Sequence, residues 1–175
     1  MLLLLHEQSK FCHGKTKFFE VGAINHHAII HLPHPVIKGD RLRTWMGIDS
    51  DTFYDEQKIA IIPMGFCYPG TGKSGDLPPR PECAKLWRAK LLAMLPNIQL
   101  TLVIGQYAIA YHLPNNPHKN LTETVRHWRD HWQENGPCLI PLPHPSPRNN
   151  IWLKKNPWFE GEVIPRLQTH AKSIL

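Results

Sequence analysis

The sequence predicts an α/β protein: a three-layer α/β/α sandwich around a central, mainly parallel sheet of about four strands, near the usual sheet size. Three observations predict it. Short apolar runs rich in β-branched residues recur at 58–64, 100–105 and 138–142. Stretches with helical periodicity separate them. The runs also lack the in-out alternation of a sheet with one wet face, so helices must cover both sides.

In chain order, "KIAIIPM" (58–64) is the first clear strand. "PECAKLWRAKLLAML" follows as a helix that places Cys83, Leu86, Trp87, Leu91, Met94 and Leu95 near one face. Pro81 suits its first turn and Pro96 its stop. "LTLVIG" (100–105) is the second strand, and "LTETVRHWRDHW" from Leu121 to Trp132 an amphipathic helix. "CLIPL" (138–142) is the third strand, and "PWFEGEVIPRLQTHAK" a last helix weakened by Gly161 and Pro165. There is no internal repeat and no low-complexity linker.

With 175 residues and 42% hydrophobic content, the chain is long enough for one sizeable core, so one domain is expected. Lys and Arg number 20 against 14 Asp and Glu, a formal charge of +6 that favours an anionic partner such as nucleic acid or a phosphorylated ligand. "MLLLL" is too short for a signal-peptide core, and no window approaches the roughly 20 apolar residues of a membrane span. A soluble, cytoplasmic monomer is expected. Four cysteines in such a chain read as thiols or metal ligands before disulfides.

Ligands of parallel sheets gather at the carboxyl ends of the strands, so the loops leaving "IAIIPM" and "CLIPL" are the places to look, and are expected to lie side by side. The first loop contains "GTGKS". It is not a phosphate loop: Cys67 stands where the first glycine is required, and Gly75, Pro78, Pro79 and Pro81 prevent a helix from starting at Lys73. The second loop, "LPHPSPRNN" (142–150), sets His144 between Pro143 and Pro145, a stiff support for an imidazole. Ser146, the backbone amides of 148–150 and the Arg148 charge suit phosphate oxygens. The plainer alternative is a proline-rich connection with a surface histidine.

"HPSPRN" resembles the second active-site motif of the uracil-DNA glycosylase superfamily. "IIPMGFCYPG" followed by "PECAKLW" is similar to the matching segment of its bacterial and archaeal iron-sulfur members. With "GDRLRTWMGID" and "LPHPSPRNNIWLKKNPWFE", the resemblance runs from about Gly39 to the C-terminus. It implies the glycosylase fold for 39–175 and base-excision repair of DNA: a nucleotide carrying uracil or a related damaged base is flipped into a pocket and its N-glycosidic bond hydrolysed. His144 would be the catalytic donor to the leaving base. Ser146, Arg148 and Asn149 would contact DNA, and Met64 and Gly65 would line the substrate pocket.

The resemblance also implies a [4Fe-4S] cluster, with Cys67 and Cys83 as two of its four thiolates. Relatives supply the others from an N-terminal Cys-x-x-Cys, where this chain has only Cys12, in "KFCHGKT", so the ligand set is incomplete. Two structural thiols are the alternative. Cys138, inside an apolar run, reads as a small buried hydrophobe.

Residues 1–38 read as a divergent N-terminal segment, poorly folded or altered in reading frame. The resemblance stops near Lys38, and the superfamily's first motif, a Gly-x-x-Pro-Gly-like loop that positions the attacking water, is absent. A catalytically impaired nucleic-acid-binding protein of the same fold is therefore the second functional expectation. Pro63 or Met64 stands where some relatives carry an asparagine that reads uracil, and neither can form paired hydrogen bonds with a pyrimidine. Within the divergent segment, His26, His27, His31 and His34 have spacings that a transition metal could use, against a plain solvated cluster.

Overall fold

The computed structural model describes residues 28–32, 40–66, 69–73, 75–133 and 136–175. Its centre is a parallel four-stranded sheet of β1 (Ala28–Leu32), β2 (Ile59–Pro63), β5 (Leu100–Ile104) and β6 (Cys138–Leu142), in the order β2-β1-β5-β6. The register is continuous: Ile30 sits between Ile61 and Leu102, and Leu102 also faces Ile140. The three apolar runs at 58–64, 100–105 and 138–142 are thus strands. The fourth, "AIIHL", is an inner strand drawn from upstream of Gly39, so the sheet takes one of its members from the segment read as divergent. His31 pairs with Ile62 and Val103 along that strand, whereas His26, His27 and His34 lie outside the described residues.

Between the strands run α1 (Asp40–Met46), α2 (Ser50–Tyr54), the helix α3 over residues 81–93, α4 (Gly105–His112), α5 (Leu121–Arg126), α6 (Asn150–Lys155) and α7 over residues 157–174. Their ends follow local chemistry. Asp49 and Asn120 accept hydrogen bonds from the Thr52 and Glu123 amides at 2.7 and 2.9 Å, which caps α2 and α5. Gly47, at φ +66°, closes α1 in the left-handed region. A Cβ there would lie 2.9 Å from Gln168 Cγ, whose amide donates to the Thr44 carbonyl at 3.0 Å and ties α7 to α1.

The strands split their side chains between two layers with a period of two. Ile59, Leu100, Leu102, Ile104, Cys138, Ile140 and Leu142 face α1, α2, α5 and α7, where Leu42, Phe53, Val125, Phe159 and Leu167 complete the core. Ala60, Ile62 and Val103 face the other way, onto α3 and α4. The three-layer architecture follows from this alternation.

Two helices depart from regular α geometry. In α3, Pro81–Cys83 leads into π-helical Ala84–Arg88 and then Ala89–Ala93. The wider turns rotate the buried face. Leu86, expected in the core, is 57% exposed, while Ala84 and Arg88 are buried. In α7, π-helical Phe159–Val163 carries the chain past Gly161 and into Ile164–Ile174, with Pro165 in the first turn, where its missing amide is harmless. From Thr71 the chain forms a small hairpin of β3 (Thr71–Gly72) and β4 (Gly75–Asp76), and the next helix begins only at Pro81, as the exclusion of a phosphate loop requires.

Candidate active site

The loop after β6 is held on all sides. Pro143 and Pro145 are buried and His144 between them is half-buried. Ser146, extended at φ −75° and ψ 157°, precedes a 3-10 turn, Pro147–Asn149, that leads into α6. The Asn149 side-chain amide donates to the His144 carbonyl at 2.7 Å, and an Arg41 guanidinium N–H from α1 donates to the Ser146 carbonyl at 3.1 Å. The Ser146 backbone N–H donates to His144 Nδ1 at 3.2 Å. A backbone N–H can only donate, so Nδ1 is the acceptor and the ring's own N–H sits on Nε2. The ring N–H thus lies on the side of the imidazole away from Ser146. Next to it β5 ends at Gly105, whose φ of +79° starts α4; a Cβ there would stand 3.9 Å from that of His144.

Several sequence-based assignments change. The side-chain donor of Asn149 is committed to the loop, so Asn149 braces His144. The amides of Asn149 and Asn150 bond to the Ser146 and Pro147 carbonyls, so the 3-10 turn already uses donors expected to reach phosphate. Arg148 is exposed, and its guanidinium and the Ser146 hydroxyl suit that role. Met64 is 4% exposed and packs among Ala84, Val103, Ala108 and Ile109, so most of its side chain is core. Gly65 is buried, and a Cβ there would meet that of Pro79 at 3.1 Å, so a larger residue requires Pro79 to give by a few tenths of an ångström. The loops after β2 and β6 share the carboxyl end of the sheet. Their strands are the two outer ones, three spacings of about 4.8 Å or roughly 14 Å apart, with β1 and β5 between.

Of the cysteines, Cys83 is a half-buried free thiol in the first turn of α3, and Cys12 and Cys67 lie outside the described residues. Cys138 is 1% exposed and its thiol points to the Gln133 carbonyl at 3.0 Å, which is the buried hydrophobe expected. Among the described residues no three His, Cys, Asp or Glu side chains converge as a metal site would need.

The end of β2 is fastened by a residue that periodicity did not single out. Arg88, fully buried, donates to the Pro63 carbonyl at 3.0 Å and to His112 Nε2 at 3.0 Å, with its guanidinium 5.1 Å from the Tyr111 ring centre. Burial lowers Arg88 to about 10, so it stays charged at neutral pH. Burial first, and the Arg88 charge second, lower His112 to about 4 and keep it neutral. This pair links α3 and α4 beneath the strand end that leads to Met64 and Gly65. Arg41, Gly105 and Arg88 were all invisible to motif reading, because their roles come from neighbours distant in sequence.

The His144 loop, with exposed Arg148 beside it, stands at the carboxyl end of a parallel sheet, where ligands of open α/β folds gather. The profile of the Uracil DNA glycosylase superfamily matches residues 25–168, and the chain belongs to that superfamily. It is a glycosylase-like protein of a group that acts on DNA, and the matched span includes β1. No helix among the described residues is long and apolar enough to cross a membrane.

Proposed function

We propose that this chain is a base-excision repair glycosylase that flips a nucleotide carrying uracil or a related damaged base from DNA and hydrolyses its N-glycosidic bond. The observation that carries this reading is the hydrogen bond from the Ser146 amide to His144 Nδ1, which assigns the ring N–H to Nε2. As the bond between sugar and base breaks, negative charge grows on the base oxygens. A preorganised donor placed there strengthens in the transition state and contributes about 3 to 4 kcal/mol in enzymes where it has been removed. Arg148 supplies a phosphate contact and the Ser146 hydroxyl a second. Met64 belongs to the wall behind the pocket, and Gly65 lets the loop pass close to Pro79.

The cluster assignment is a separate proposal. Cys67 and Cys83, with Cys12, would make three of the four thiolates that a [4Fe-4S] cluster requires, and such a group would serve structure. Iron and sulfide analysis of anaerobically purified protein tests it, with sub-stoichiometric iron expected and full loss in Cys83→Ala.

A second reading, a nucleic-acid-binding protein with impaired catalysis, is favoured by the missing Gly-x-x-Pro-Gly motif. The loop after β1, where such a motif belongs, falls in residues 33–39, outside the described residues. Single-turnover base release from a uracil-containing single strand separates the readings. Slow release that His144→Ala reduces by about a hundredfold or more supports the glycosylase. Tight, salt-sensitive binding without release supports the second reading. Release indifferent to His144→Ala overturns the mechanism.

A further inference from the structure

One basic residue at the His144 loop comes from outside it. Arg41, half-buried in the first turn of α1, sends a guanidinium N–H to the Ser146 carbonyl at 3.1 Å across 105 positions of sequence. A guanidinium carries five N–H donors in a planar fork, so this bond uses one and leaves four. Among the described residues Arg41 makes no ion pair and no further side-chain hydrogen bond. Asp40, its neighbour in the chain, is paired with Arg43. A carbonyl accepts a hydrogen bond without cancelling charge, so Arg41 is fastened to the loop and is still a cation.

The surroundings favour an anion there. Ser146, whose carbonyl Arg41 holds, also carries a hydroxyl suited to phosphate, and Arg148 follows two residues later, exposed and in no ion pair among the described residues. No Asp or Glu occurs between Asn135 and Phe159, so neither the loop nor α6 brings a carboxylate of its own. Bracing alone does not call for charge. The other side chain that holds this loop by a carbonyl is Asn149, whose neutral amide does so at 2.7 Å.

We infer that Arg41 is a phosphate-binding residue of this site, holding the phosphodiester beside the flipped nucleotide together with the Ser146 hydroxyl and Arg148. A guanidinium can meet two phosphate oxygens at once, and such charge-assisted bonds are roughly twice as strong as neutral ones. The same guanidinium is bonded to Ser146, whose amide donates to His144 Nδ1. A phosphate on Arg41 is thereby kept in register with the imidazole, which fixes the strand relative to the group that acts on the base. The inference rests on DNA being the ligand of the His144 loop, and the experiment separates the two.

Short uracil-containing single strands are prepared with one phosphodiester at a time replaced by an uncharged methylphosphonate. A 2′-fluorine on the target sugar withdraws electrons and slows loss of the base, so that binding is read alone. Fluorescence anisotropy across salt then compares the parent chain with Arg41→Ala, Arg41→Lys and Arg148→Ala. In the parent, neutralising one linkage beside the target should weaken binding. Arg41→Ala should make the chain indifferent to that linkage and lower the logarithmic salt slope by about 0.7, the share of one phosphate contact on a single strand. Arg41→Lys should keep the slope and lose part of the affinity, because an ammonium replaces the charge but not the fork. If Arg41→Ala instead weakens every strand by the same factor, neutralised or not, with the slope unchanged, Arg41 is a brace and the inference is overturned. Arg148→Ala reports on the loop itself. Should it lower the slope where Arg41→Ala does not, Arg41 alone is misassigned; should no uracil strand bind at any salt, the DNA reading of the loop fails and Arg41 falls with it.

Discussion

Asn149 follows the arginine of a polar loop, yet its amide closes onto the carbonyl of His144, five residues back in the chain. Together with the Ser146 amide on Nδ1 and Arg41 on the Ser146 carbonyl, it determines where the imidazole stands and which nitrogen bears the proton. Asn149→Ala leaves that carbonyl without its partner, at an expected cost of about 1 to 2 kcal/mol in stability. The more telling outcome is at the ring. Nitrogen NMR of His144 should show one tautomer in the parent chain and a mixture in Asn149→Ala, while a residue that merely stabilised the fold would leave the tautomer unchanged.

At the scale of the element, the π turns of α3 decide which side chain goes inside. They bring Arg88 rather than Leu86 against the sheet, and Arg88 then bonds the last carbonyl of β2 and the last residue of α4. Arg88→Met keeps much of the volume but removes both bonds. Hydrogen bonds to charged groups contribute about 1.5 to 3 kcal/mol each, partly offset by the cost of burying the cation, so a net loss of about 2 kcal/mol is expected. In a chain of this length that lowers Tm by about 4 to 8 °C. Leu86→Ala, at an exposed position, should stay within about 0.5 kcal/mol of the parent. Thermal melts of the two variants reverse the order that simple helical periodicity would assign.

For the whole molecule, the half-buried neutral His112 makes stability depend on pH. Its value is about 4 in the folded chain against 6.5 ordinarily. Between those values the unfolded chain binds more protons, so stability rises with pH and is lost as pH falls from about 6.5 to about 4. The difference, 6.5 − 4 = 2.5, corresponds to at most about 3 kcal/mol at 1.36 kcal/mol per unit. His131, lowered chiefly by burial, acts in the same direction. Urea unfolding at pH 7 and pH 4.5 should show the loss, and His112→Gln should reduce it.

Residue types and their periods by themselves determined the class of fold, three of the four sheet strands and the His144 loop. Strands buried on both faces must be apolar throughout, and prolines around a histidine leave the backbone few alternatives. Only the tertiary structure decided the rest. "AIIHL" is too short and too flanked by histidine and proline to declare itself; it is a strand because β2 and β5 supply its hydrogen bonds from either side. β2 and β6 stand at the two edges of the sheet with β1 and β5 between them, so the strands that feed the two loops are not neighbours. Met64 became core and Arg88 was buried against residues distant in the chain, while Asn149 became a brace on a carbonyl five residues back. Such roles answer to neighbours tens of residues away, to a turn widened by one residue or to the closing of a proline-rich loop, and none appears in a local pattern of sequence.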